Sequence, residues 1–309
     1  MKLSHSDDSQ VADTNRSFGF IEWTLATGMA LIWGSSFLLI EIIIREAPNT
    51  FVPLGRSFFG ALTLIFMPKA LEPIAREHHV RLWVLGFIWM ALPFFLFPLA
   101  ERTVATSIAG MMNGALPVVV AIVTALWLKT MPSLQRSLAV CIGFVGIVLI
   151  AVPSVNEGSS ADVLGILYLV GALLCYAVGI NIARPLQMIY SPATLMFRVV
   201  AISVIWSAPL GLAALPKVTF TWQMLSATIA LGALGTGAAF LLFGTLLART
   251  GTVRAMIPTY FTPVVSIFLG VLFNDEKIIG LSIVGMVIVL LGAWLTSRPE
   301  PTASPTPER

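Results

Sequence analysis

"NGALPVVVAIVTALW" fills residues 113–127, and "TYFTPVVSIFLGVLF" fills residues 259–273. The second phrase is the first displaced by 146 positions. Pro117 falls on Pro263, Val118 and Val119 on Val264 and Val265, Trp127 on Phe273, and further along Gly146 falls on Gly292. Nearer the N-terminus a displacement of 142 lays Arg56 on Arg198 and Trp33 on Cys175. Proline and arginine coinciding at a nearly constant offset point to a duplicated unit, because chance similarity among apolar runs has no reason to preserve them.

The solvent of those runs follows from composition. The chain is 57% hydrophobic and 11% charged, with a mean hydropathy of +0.92. A soluble domain is about half apolar and about a quarter charged. So few charges cannot cover a water-facing surface of this size, and lipid must do much of the solvating. With a ruler of ~20 apolar residues for ~30 Å of hydrocarbon, ten stretches qualify. They are 23–44, 51–69, 82–100, 104–128, 134–153, 162–182, 193–213, 222–246, 252–273 and 278–297. Alternating strand patterning is absent, so an all-α membrane protein is expected and not a barrel.

Two halves of five spans each would enter the bilayer from opposite sides, because five is odd. The expected architecture is therefore ten transmembrane helices as an inverted 5+5 repeat, the plan on which many secondary transporters build a midplane site. The expected divisions are an N-terminal segment 1–20, repeats over 21–155 and 156–297, and a Pro/Ser/Thr-rich tail 298–309 expected to be disordered. The opening residues carry no short apolar core and do not read as a signal peptide. With the N-terminus inside, twelve Lys and Arg fall in inner connections, while Arg45, Arg102, Lys217 and Lys277 fall in outer ones. The positive-inside rule then places both termini in the cytoplasm. Scattered basic residues of this kind argue against a nucleic-acid partner.

Polar residues inside the spans are the candidates for function. Proline at 117 or 263 would loosen the carbonyl four residues earlier, at Asn113 and Thr259. Those two residues and Tyr260 are candidate pocket contacts, with Pro117 and Pro263 as kinks or hinges; a fixed kink for packing is the alternative. Trp33 and Ser36 of "WGSSF", and Tyr176 of "CYAVGIN", are further candidate contacts, against ordinary small-residue helix packing. Arg56 and Arg198 each lie about five residues into a span. Their mirrored placement suits a gate or an anion contact at each mouth, or simple snorkelling to the interface. Glu41 and Glu101 are the candidate coupling carboxylates, although both sit at span edges. Protons are the candidate coupling ion.

Neither GxxxxGK[ST], HExxH nor GxSxG occurs, so no nucleotide loop or familiar hydrolase signature supports an enzyme. No cofactor is expected. His78 and His79 lack a third spaced ligand, so no metal is expected either. Cys141 and Cys175 are isolated in apolar runs and read as small hydrophobes.

The order of motifs resembles the EamA branch of the drug/metabolite transporter superfamily. "WGSSF" early in span one and "RSFFGALTLI" in span two carry the resemblance, together with "ALPVVVAIVTALWL" and "FTPVVSIFLGVLFNDEKI" in spans four and nine; it covers about residues 23–297. It departs at Lys129–Thr130, opposite Asp275–Glu276, and at Pro93 and Pro98, which have no counterparts in span eight. The resemblance implies inner-membrane transport, commonly export, of small-molecule substrates such as amino acids, metabolites or drug-like compounds. A non-transporting membrane partner or receptor, and a membrane-embedded lipid-modifying enzyme, are the competing readings.

Overall fold

The computed structural model describes residues 19–129, 134–157, 160–246 and 257–296. The tail expected at 298–309, most of the N-terminal segment and the start of the ninth stretch lie outside them. Among the described residues every regular element is helical. The first half holds α1 (Phe20–Glu46), α2 (Phe51–Leu64), α3 (His79–Leu85), α4 (Leu92–Ala100), α5 (Thr106–Asn113), α6 (Leu116–Leu128) and α7 (Leu134–Glu157). The second holds α8 (Ser160–Gln187), α9 (Pro192–Ala214), α10 (Trp222–Gly232), α11 (239–246), α12 (Ile257–Asn274) and α13 (Gly280–Thr296).

Among the described residues, six helical runs are long and apolar enough to cross a bilayer: Phe20–Glu46, Arg76–Ala100, Val163–Gln187, Pro192–Lys217, Trp222–Leu246 and Ile257–Asn274. A seventh is reached if α5 and α6, bent by 42°, act as one span. The other three expected spans are shorter apolar helices, Phe51–Leu64, Ser137–Pro153 and Gly280–Leu295.

The side chains are sorted inside out relative to a soluble protein. Phe66, Leu126, Phe144, Trp222, Phe261 and Phe268 are exposed, whereas Arg56, Ser57, Glu101, Ser203, Thr236, Thr262 and Ser266 are buried. Large apolar groups facing outward and hydroxyls facing inward are what a hydrocarbon solvent selects. The chain is a multi-pass membrane protein.

Small residues set the closest approaches. A Cβ added to Gly146 would lie 2.5 Å from the Val289 backbone nitrogen and 2.7 Å from the Gly285 carbonyl. One added to Gly292 would lie 2.5 Å from the Gly143 nitrogen and 2.9 Å from the Ala139 carbonyl. Each of these contacts becomes the other when 146 is added or subtracted, as contacts across a two-fold axis must. Helices α7 and α13 thus touch backbone to backbone. Between α5 and α12, Gly110 faces Ser266 and Gly114 faces the Pro263 ring.

Other features recur at the same interval. Gly86–Ala91 joins α3 to α4 as a π-helical turn, and Ala233–Ala238 joins α10 to α11 as another, 147 residues on. Lys129 after α6 and Asp275 after α12 both adopt left-handed backbone, with φ of 51° at each. The two prolines of the repeated phrase part company. Pro263 lies inside α12, whereas the chain breaks at Asn113–Ala115 and Pro117 is the second residue of a new helix. A first-turn position suits proline, because the N–H it lacks would have no helical acceptor there.

Gly146→Ala or Gly292→Ala should each lower the unfolding temperature in detergent, since overpacking typically costs about 1–3 kcal/mol. Gly28→Ala, whose Cβ would meet only a Leu242 methyl at 3.9 Å, should leave it unchanged or slightly raised. A thermal unfolding series on the purified variants checks the contrast.

Candidate functional site

Arg56 is the charge that the packing encloses. It lies in the second turn of α2 and is 7% exposed. Its position follows from close contact between α2 and α10: a Cβ on Gly232 would lie 2.7 Å from the Arg56 carbonyl. The two π turns then bracket the side chain. From the second, the Thr236 hydroxyl accepts a hydrogen bond from Arg56 Nε at 3.0 Å. Just past the first, the Phe94 ring lies under the guanidinium, 4.0 Å from Cζ to the centroid. Wide π turns are often found at functional positions. Gly235 packs close beside the guanidinium; a Cβ there would stand 3.0 Å from Ser36 Oγ and 4.0 Å from Arg56 Nη2.

A line of aromatic rings continues from Phe94. Phe97, one turn further along α4, meets Phe37 at 5.6 Å and Tyr176 at 5.9 Å between centroids. Tyr176 and Glu101 lie within electrostatic range of Arg56. Glu101 follows Phe97 by one more turn and is 7% exposed; both carboxyl oxygens are buried without a hydrogen-bond partner. The described ion pairs are Glu41–Arg45 and Glu77–His78. Neither Arg56 nor Glu101 takes part in one.

One end of this interior is closed by a second polar cluster. The Glu41 carboxylate accepts from Arg45 Nη2 at 2.7 Å, from the Thr106 hydroxyl at 2.7 Å, and from the Asn274 amide. Arg45 also donates to Asn274 Oδ1 at 3.0 Å. Glu276 accepts from the backbone N–H groups of Thr106 and Ser107 at 2.8 and 3.0 Å, which caps α5 with a carboxylate. A negative group there satisfies otherwise unpaired donors and suits the helix dipole. The cluster ties together the end of α1, the start of α5 and the connection between α12 and α13. At the opposite end a crevice runs between Trp89, Tyr190, Met196, Phe240 and Phe243.

Of the residues expected from sequence, the fold gathers Arg56, Ser36, Tyr176 and Glu101 around one interior, and Glu41 belongs to the closing cluster. Trp33 lies elsewhere, packed against Phe243 at 6.0 Å beside Met29 and Leu246. Tyr260 donates its hydroxyl to the Ala293 carbonyl at 3.1 Å. Thr259 is buried, and half-buried Asn113 ends α5 at the break. Arg198 is not enclosed as Arg56 is: it donates at 3.3 and 3.4 Å to the Leu71 and Glu72 carbonyls in an exposed contact. The sequence reading missed Phe94, Phe97, Thr236, Asn274 and Glu276. Among them only Glu276 carried a signal, as the acid after a helix end. Among the described residues no three His, Cys, Asp or Glu side chains are grouped as metal ligands would be.

Comparison with known proteins agrees with this architecture. The chain is 21% identical to an archaeal protein of Archaeoglobus fulgidus named as an uncharacterized transporter, over 90% of this chain and 99% of that one. It is 25% identical to YwfM of Bacillus subtilis, also named as an uncharacterized transporter, over 87% of this chain and 90% of that one. A solved crystal structure superposes with a TM-score of 0.59 at 16% identity, covering 89% of this chain and 96% of that chain, which establishes a shared fold. The EamA-like transporter family matches twice, over residues 21–152 and 163–298. The chain therefore belongs to the EamA-like transporter family.

Proposed function

We propose that the protein is a secondary transporter that exports a small organic solute by alternating access. In this reading ten crossings form an inverted 5+5 repeat in a bacterial-type inner membrane, with both termini cytoplasmic. The carrying observation is a buried guanidinium and a buried carboxyl group, neither in an ion pair among the described residues, beside aromatic rings where the two halves meet. Enclosed polar groups of that kind are costly in lipid and by default mark a substrate or ion path. The repeat is supported by the two family matches, the reciprocal contacts of Gly146 and Gly292, and the paired π turns. The orientation is supported by the excess of Lys and Arg on one set of connections.

The Glu41–Arg45–Thr106–Asn274–Glu276 cluster then acts as the outer gate, and the crevice beside Tyr190 as part of the inner approach. Opening outward would exchange the cluster's hydrogen bonds for water. The break at Asn113–Ala115 and the two π turns are where the helices can flex, since their regular ladders are already interrupted. Glu101 is the coupling carboxyl group in this scheme. It lies beyond ion-pair distance of Arg56 and within range of Glu41 and Glu276, so gaining or losing a proton alters the charge that the outer gate senses.

Proteoliposomes with a metabolite panel inside test the reading: saturable counterflow is expected, and an applied pH gradient should drive net flux. Glu101→Gln should abolish the gradient-driven component while leaving exchange intact; an unchanged response to the gradient would remove Glu101 from the scheme. Asn274→Leu should loosen the outer gate, because it strips an amide from Glu41. Labelling of a cysteine introduced at Ser107 should then rise several-fold, as loss of such a bond costs about 1–3 kcal/mol.

A further inference from the structure

Resting on the transport reading, we infer that the central site takes an organic carboxylate with an apolar or aromatic body, in preference to a cationic compound. Arg56 is nine-tenths buried, yet among the described residues only Nε is engaged by an acceptor, at Thr236. The Phe94 ring occupies one face of the guanidinium and leaves its terminal N–H edge, the edge that pairs with a carboxylate, without a protein partner. Gly235 lies beside Nη2, since a Cβ on it would stand 4.0 Å away and 3.0 Å from Ser36 Oγ. Glu101 is within electrostatic range of Arg56, but among the described residues it forms no ion pair with it.

Glu101 lies seven residues beyond Phe94 on the same run of helix, which is ~10 Å along the axis, and within electrostatic range of Arg56. An ammonium one carbon from a carboxylate held by Arg56 would reach towards Glu101, so an α-amino acid is accommodated as well as a simple monoanion. The aromatic rings are well suited to an apolar body extending from the anion towards Phe97 and Phe37. A cation without an acid would meet Arg56 directly and be repelled.

Three probes that share one body and differ only in charge test this: 3-phenylpropanoate, L-phenylalanine and 2-phenylethylamine. Binding to the purified protein in nanodiscs is measured by titration, and counterflow in proteoliposomes by exchange of the labelled compounds. The expected result is saturable binding of 3-phenylpropanoate and L-phenylalanine, with the amine weaker by about tenfold or more. Arg56→Gln should weaken binding of the anion by a similar factor, and Arg56→Lys should recover part of it. Preference for the amine, or an unchanged ranking in a folded Arg56→Gln variant, overturns the inference while leaving transport intact. If that variant does not fold, the ranking in the unmodified protein decides alone. Binding of the anion without counterflow of any solute supports the site and overturns the transport reading. Absence of binding by all three overturns the inference.

Discussion

An arginine enclosed without a counter-ion governs the arrangement of this protein's interior. A charge at the centre of a span costs about 2.5–3.5 kcal/mol even where the membrane can adapt, and Arg56 is too enclosed to reach the interface. What offsets this is one hydrogen bond donated to Thr236 and the face of Phe94, worth about 0.5–2 kcal/mol for a contact of the second kind. These account for its orientation better than for its presence. Around it the helices approach as closely as glycine permits, so that Gly232 lies against the Arg56 backbone and Gly235 beside its side chain.

The same economy explains the distribution of polar groups elsewhere. Several buried hydroxyls bond within their own helix, as Ser36 does to the Ile32 carbonyl and Thr228 to the Met224 carbonyl, while Ser57 and Ser203 pair across helices. The acids differ among themselves. Glu101 has no hydrogen-bond partner among the described residues, whereas Glu41 and Glu276 have several, most of them drawn from distant parts of the chain. Acids at the ends of apolar runs look alike in sequence. The fold separates them into one that is satisfied by a network and one that is not.

Much of the fold could be read from the residues, because lipid imposes a simple rule on apolar runs and because a duplicated phrase exposes its own period. The site was legible in part. Arg56 stood out as a charge inside a span, but Arg198 stood out equally, and only the carbonyls of Leu71 and Glu72 near it distinguish their fates. Trp33 looked like a pocket residue until Phe243, more than two hundred positions away, claimed its ring. Pro117 and Pro263 match in sequence but not in role, since the first begins a helix and the second interrupts one. Periodicity reports which residues face inward. It does not report which inward-facing group will find a partner.

Helix α2 has 14 residues, a rise of ~21 Å, against ~30 Å for an ordinary bilayer core. Its Leu64 end is followed by the turns around Met67–Leu71 rather than by further helix. Wherever this element meets lipid, hydrophobic mismatch must thin the surrounding leaflets or draw headgroups inward. The polar boundary then lies closer to the guanidinium than the overall thickness of the membrane would allow, which shortens the dehydrated part of any route past it and ties the protein's behaviour to acyl-chain length.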